Sequence, residues 1–182
     1  MRTVIFGAAT SLDNFLARSD GSVDWLRWGE GAAAIMKDVW SAIDTVIMGR
    51  KTYEVARGHA RPEAGPKNAN PIPYPGMASY VFSSTLADEP GVTVVRESAV
   101  PFVRRLKGEP GRDICVMGGG LLARPLLEAG LIDRIGFNIH PVLLGSGVPV
   151  FHPLPRQIDL ELEECRPLGN GCAYVSYRVL HG

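Results

Sequence analysis

Two apolar runs, Val46-Ile47-Met48-Gly49-Arg50-Lys51-Thr52 and Ile114-Cys115-Val116-Met117-Gly118-Gly119-Gly120, each break on glycine and each lead into a helical pattern. A β-branched run stopped by glycine reads as a buried parallel strand, because crossover helices cover both faces of such a sheet. A helix that starts at the strand's carboxyl end aims free backbone N–H groups and a partial positive charge at whatever sits there. Two such ends in one sheet suit a ligand with two phosphates.

The remaining pattern predicts an α/β fold with a mostly parallel central sheet, flanking helices and a C-terminal antiparallel hairpin. Thr3 to Ala8 opens the sheet, and Met36, Val39, Trp40 and Ile43 fall at the i, i+3, i+4, i+7 spacing of a helix laid upon it. Strands are expected at Val46–Met48, Tyr80–Phe82, Val92–Val95, Ile114–Met117 and Ile135–Ile139. Val100, Val103 and Leu106 mark one further helix, and Leu121 to Ala129 another, which Gly130 ends in the manner of a C-cap. Leu160–Glu163 and Ala173–Val179 alternate about Gly169-Asn170-Gly171 as a solvent-faced hairpin. Between Arg57 and Ala78 the chain is crowded with Pro, Gly and Asn, a loop length that is usually functional or interfacial.

A single domain spanning 1–182 is expected, long enough to bury about 70% of its unfolded surface. The formal net charge is 0, which argues against a sequence-independent hold on nucleic acid or an anionic membrane and leaves a small molecule as the expected partner. No apolar run approaches the roughly 20 residues of a membrane span, and Met1 to Phe6 goes directly into a strand without a secretory h-region. The expected compartment is the cytoplasm. There the three cysteines are expected as free thiols, although Cys165 and Cys172 flank the hairpin turn. His59, His140, His152 and His181 are scattered without ligand spacing and read as surface or capping residues, so no metal site is expected.

At Gly49-Arg50-Lys51-Thr52 the missing Cβ lets a phosphate approach the backbone, the Thr52 hydroxyl can cap the helix or bind an oxygen, and two cations follow at once. The competing reading is a tight strand-to-helix turn with solvated basic residues. Gly118-Gly119-Gly120 gives up packing just where a buried strand ends, so something must come close to that backbone; the competing reading packs the third glycine against the sheet. Ser83-Ser84 ends another strand, where two hydroxyls either bind a phosphate or satisfy a turn. All three ends converge on one edge of a parallel sheet, where such folds bind ligands.

The chain resembles the dihydrofolate reductase-like superfamily, and within it the C-terminal reductase domain of the bifunctional riboflavin-biosynthesis deaminase/reductase and its stand-alone relatives. The likeness is carried by Ala9-Thr10-Ser11-Leu12-Asp13-Asn14-Phe15-Leu16-Ala17, Val46 to Thr52, Phe82-Ser83-Ser84, Met117 to Gly120 with its helix, and His140-Pro141-Val142-Leu143-Leu144-Gly145-Ser146-Gly147-Val148-Pro149-Val150-Phe151. The resemblance implies NADPH as cofactor. Gly49, Arg50, Lys51 and Thr52 would meet the pyrophosphate and 2′-phosphate, with Arg50 the foremost cation for the latter. Ser83 and Ser84 would support the adenosine phosphate side, and Gly118, Gly119 and Gly120 with Leu121 and Leu122 would hold the pyrophosphate at the helix start.

On the substrate side the resemblance implies two carboxylates. Glu30 stands near the position where folate-reducing members bind the pterin and assist its protonation, or is an exposed acid favoured by the helix dipole. Asp13 matches the aspartate of the riboflavin branch, where it binds a substrate hydroxyl or holds the loop turn. The family's tyrosine after the glycine triplet is Ala123 here, and its later threonine is Asn138, which weakens the folate reading. Trp25 and Trp28 either line a pocket for a flat heterocycle or pack as core. The expected activity is hydride transfer from NADPH to a small heterocycle, most like 5-amino-6-(5-phosphoribosylamino)uracil reductase. Dihydrofolate reduction and an NADPH-binding module without turnover are the alternatives, and the resemblance implies a homodimer.

Overall fold

The β-branched runs do form the middle of one sheet. The computed structural model describes residues 1–27, 29, 37–59, 74 and 76–181. In chain order the elements are β1 (Val4–Ser11), β2 (Phe15–Ala17), the helical residues 37–41 (α1), β3 (Ile43–Gly49), α2 (Arg50–His59), β4 (Ala78–Phe82), β5 (Thr93–Val95) and α3 (Ala99–Gly108). They continue with β6 (Asp113–Met117), α4 (Gly120–Glu128), β7 (Arg134–His140), β8 (Val148–Pro149), β9 (Leu160–Pro167) and β10 (Ala173–Val179). The eight-stranded sheet has the order β5-β4-β3-β6-β1-β7-β10-β9, and β2 with β8 forms a separate ribbon. Every pairing from β5 to β7 is parallel, whereas β10 runs antiparallel to both β7 and β9.

Strand periodicity divides the core between the two sheet faces. On one, Val4, Phe6, Ile47, Val116, Ile135 and Phe137 pack under Val103 and Leu106 of α3 and Leu126 and Leu127 of α4. Phe6 meets Phe137 edge to face at 5.4 Å between ring centroids, a geometry that aligns the positive ring edge with the negative ring face. On the other, Val46, Met48, Val81 and Cys115 lie under Tyr53 of α2 and Val39 and Trp40 of α1. Burial pushes the Cys115 thiol up to about 12, so it packs as a small apolar side chain.

Three expectations change. Ile43 opens β3, fully buried and paired with Asp113, instead of closing the preceding helix; a β-branched residue at a central strand gains more there than on a helix. Met36 of that helical pattern lies outside the described residues. β1 continues past Ala8 to Ser11 because β7 pairs with it from Ile5 through Ser11. The β2–β8 ribbon was hidden by glycine and proline in the run from Gly145 to Pro149. By contrast, Gly130 takes φ +63° just past α4, and Leu131 N–H closes on Leu126 O at 2.9 Å, the reciprocal bonding of a glycine stop.

At the amino-terminal edge of the sheet Arg2, 8% exposed, bonds Asp44, Thr45 Oγ1 at 2.6 Å and Arg112 O at 2.6 Å. Lys107 similarly pairs with Asp133. These buried charges are neutralised on the edge opposite the carboxyl ends of the parallel strands. Cys115, Cys165 and Cys172 are free thiols, and the hairpin register places Cys165 opposite Val175. No helix among the described residues is long and apolar enough to cross a membrane.

Candidate active site

Because β1, β3, β4, β6 and β7 are mutually parallel, their carboxyl ends Ser11, Gly49, Phe82, Met117 and His140 share one edge. The order of connection places β6 between β1 and β3 although it follows both, which is where open α/β sheets leave a crevice. The two glycine turns meet there. A Cβ on Gly118 would lie 3.1 Å from both Oγ1 and Cγ2 of Thr52, so the first turn of α2 touches the turn before α4.

Each glycine has a distinct reason for its place. Gly49 sits beside Phe82, and a Cβ there would meet nothing within 4 Å, so the backbone faces open space. Gly118 and Gly119 adopt φ +56° and +61°, left-handed conformations that cost other residues about 1–2 kcal/mol. Gly118 N–H donates to Gly7 O at 3.1 Å, fixing this turn to β1. The amides of Leu122 and Ala123 already turn back to Gly119 O, at 2.9 and 3.1 Å. The amides of Gly120 and Leu121 therefore precede the first bond of the helix, at its positive end. Gly120 answers to the protein's own chain: a Cβ would fall 2.4 Å from Val150 O. Leu121 is 74% exposed at the same helix start, and Leu122 packs against the first core.

Arg50 and Lys51 stand at the start of α2, both exposed. Arg50 Nη1 approaches Glu54 Oε1 at 3.4 Å, one turn along the helix. Ser83 Oγ is engaged locally, accepting Thr85 N–H at 3.2 Å and Leu86 N–H at 3.0 Å, as a turn requires. Ser84 is exposed beside it.

Asp13 occupies the turn after β1. Its Oδ1 accepts the Ser11 hydroxyl at 2.6 Å and Leu144 N–H at 3.1 Å, and its Oδ2 accepts Gly145 N–H at 2.8 Å. The geometry is that of a loop staple, tying the β1–β2 turn to the β7–β8 loop. The Ser11 hydroxyl, followed by the Gly145 and Leu144 amides, holds the carboxyl below the usual carboxylate range. A depressed native value means that the staple is fully present above the unfolded carboxyl's pKa and is lost as pH falls through the native one. Asp13→Asn should therefore speed amide hydrogen exchange at Leu144 and Gly145 about tenfold, since an amide NH2 turned toward backbone donors removes an acceptor. Unchanged exchange at both positions would contradict the staple.

Glu30 and Trp28 lie outside the described residues. Trp25 is buried and meets His140 edge to face at 5.3 Å. His140 is 2% exposed, which corrects its reading as a surface or capping residue. It ends β7 opposite Ser11, and Arg27 N–H donates to its Nδ1 at 3.1 Å. Burial first, and then the Arg27 guanidinium, hold its pKa below the ordinary imidazole value. The only sequence signal was its position between an apolar strand and Pro141. Two buried polar atoms on this side have no partner among the described residues, Asn138 Oδ1 and Trp25 Nε1. Asn138 shares a β7 face with His140, two residues away, and pairs with Tyr174 of β10. Among the described residues no group of His, Cys, Asp and Glu could hold a metal ion.

The RibD C-terminal domain family matches residues 2–174. The chain is 37% identical over 173 residues to the uncharacterized protein YwjB of Bacillus subtilis (strain 168), covering 92% of each. A putative riboflavin biosynthesis protein from Shewanella sp. PV-4 superposes with a TM-score of 0.76 at 23% identity, over 98% of this chain and 99% of that one. Dihydrofolate reductase from Enterococcus faecalis, solved with NADP(H), superposes with a TM-score of 0.68 at 15% identity, over 98% and 97% of the two chains. These likenesses show the dihydrofolate reductase-like fold.

Proposed function

The chain belongs to the RibD C-terminal domain family, and from that premise we propose that it is an NADPH-dependent reductase of a small heterocycle, most like 5-amino-6-(5-phosphoribosylamino)uracil reductase. The contact between Thr52 and Gly118 carries the reading, because it joins two strand-to-helix turns into one anion site. One turn offers an open backbone at Gly49 with Arg50 and Lys51 beside it, and the other offers the amides of Gly120 and Leu121 at a helix N-terminus. That donor set fits a pyrophosphate plus a third phosphate. NADPH, when bound, supplies the hydride.

The protein's own part is positional. Thr52 and the amides at Gly120 and Leu121 hold the phosphates, Arg50 and Lys51 neutralise the extra one, and Asp13 keeps the β7–β8 loop folded against the cleft. Asn138 and Trp25 offer hydrogen bonds to a polar ring, because buried unpartnered groups gain most from a ligand that satisfies them. Fixing two reactants side by side and excluding water lowers the barrier without many acid–base groups.

The test is NADPH oxidation, followed by loss of reduced-nicotinamide absorbance, with 5-amino-6-(5-phosphoribosylamino)uracil and with dihydrofolate as separate substrates. Turnover of the first is expected. Tight NADPH binding with neither compound reduced would instead support a binding module without turnover.

A further inference from the structure

We infer that neutral His140 is a positioning residue that holds the loop 22–27 on the substrate side of the cleft, and that protonating it releases this loop. The inference rests on the reductase reading only for what the loop serves.

The Arg27 peptide is gripped from both sides. Its N–H donates to His140 Nδ1 at 3.1 Å, while its carbonyl accepts Asn170 Nδ2 at 3.0 Å from the β9–β10 turn. Asn170 Oδ1 in turn accepts Cys172 N–H at 3.1 Å, and Cys172 Sγ lies 3.3 Å from the same His140 Nδ1. With Arg27 N–H donating to it, Nδ1 must present its lone pair, so the neutral ring carries its proton on Nε2. A proton added to Nδ1 would face a backbone N–H that cannot turn round and become an acceptor. The bond to Arg27 must then break, and the edge-to-face contact with Trp25 loses its support.

Among the described residues, the charged and titratable groups against the ring are the Arg27 guanidinium from the loop and the Cys172 thiol from the hairpin turn. Among the described residues no carboxylate bonds the ring. Burial and the guanidinium both oppose protonation, so the transition falls below the ordinary imidazole range. Its consequence for a ligand lies in Trp25 Nε1 and Asn138 Oδ1, buried atoms of this side that have no partner among the described residues. Releasing the loop removes the first of them from the cleft while leaving the phosphate end of the site untouched.

Indole emission reports the change, because release takes the buried Trp25 ring from its contact with His140 into water, which moves its emission to longer wavelength. In the ligand-free full chain, tryptophan emission should shift to longer wavelength on acidification in a single titration with its midpoint below about 6.5. Trp25→Phe should remove the transition, and His140→Asn should remove it while keeping an acceptor oxygen near Arg27 N–H. Arg27→Gln keeps the backbone donor and should move the midpoint upward, so the inference stays testable even where His140→Asn folds poorly. With 5-amino-6-(5-phosphoribosylamino)uracil as substrate, KM should rise about tenfold on acidification through the same midpoint, as expected for one lost hydrogen bond, with KM for NADPH flat. A transition that survives His140→Asn, a midpoint that moves down in Arg27→Gln, or a substrate KM indifferent to the titration would each overturn it. Absence of turnover would count against the reductase reading, and the emission arms would still decide the role of His140.

Discussion

Gly120→Ala should lose about 3 kcal/mol of stability or more, the upper end of what overpacking costs, because its methyl group has nowhere to go. The Cβ would stand 2.4 Å from Val150 O and 3.0 Å from His152 Cδ2, and the first of these is backbone. Neither side can retreat cheaply. Val150 is fully buried, its N–H donates to Asn14 O at 3.0 Å, and Val148 and Pro149 just before it pair with β2. On the other side, Ala123 of the same helix turn is 1% exposed in the core. Gly118→Ala provides the contrast. Its Cβ would meet a Thr52 side chain that can change rotamer, so the main cost is the left-handed backbone, about 1–2 kcal/mol. Urea unfolding of the two variants should therefore rank Gly120→Ala as clearly the worse, and a loss below about 1 kcal/mol for it would show that the Val150 segment yields freely.

The glycine triplet was legible in the sequence only in part. Three glycines at a strand end announced that something approaches the backbone, and they could not say what. The structure divides them: Gly118 and Gly119 for their left-handed dihedrals, and Gly120 for Val150, a residue distant in sequence. Only the long-range fold brings the segment just after β8 back across the start of α4. The same limit applies to Asp13. Its match to a substrate-side aspartate was visible in Ser11-Leu12-Asp13, whereas the Leu144 and Gly145 amides that bind it lie more than a hundred residues on. His140 carried no spacing signal because its partners, Arg27 and Cys172, come from two other loops. Strand and helix placement was legible where periodicity is local, as in Ile114–Met117 and Leu121–Ala129. It slipped at Ile43, whose helical spacing gave way to strand pairing with Asp113.

Removing Arg50 and Lys51 together should cut affinity for NADPH by about thirty- to a hundredfold, with NADH affinity nearly unchanged. A hydrogen bond to a charged group contributes about 1.5–3 kcal/mol net, and exposure of both side chains favours the lower end for each. Among the described residues Arg50 is held only weakly: its contact with Glu54 spans 3.4 Å between half-exposed groups, an i,i+4 pair of the kind that contributes only about 0.3–0.5 kcal/mol. A phosphate with close to two negative charges outcompetes such a partner. Glu54→Gln frees the guanidinium and should tighten NADPH slightly, by no more than about twofold. The double variant Arg50→Ala/Lys51→Ala should keep its urea midpoint within about 0.5 kcal/mol of the original protein, since exposed charges away from a packed core contribute little. The selective loss should also shrink as salt rises, because screening weakens the original protein's hold on the extra phosphate more than it weakens the variant's. Titration of both cofactors into both proteins gives the ratio of the two dissociation constants. A ratio that the double substitution leaves unchanged would place the third phosphate elsewhere, and with it the basis for preferring NADPH at this pair of helix starts.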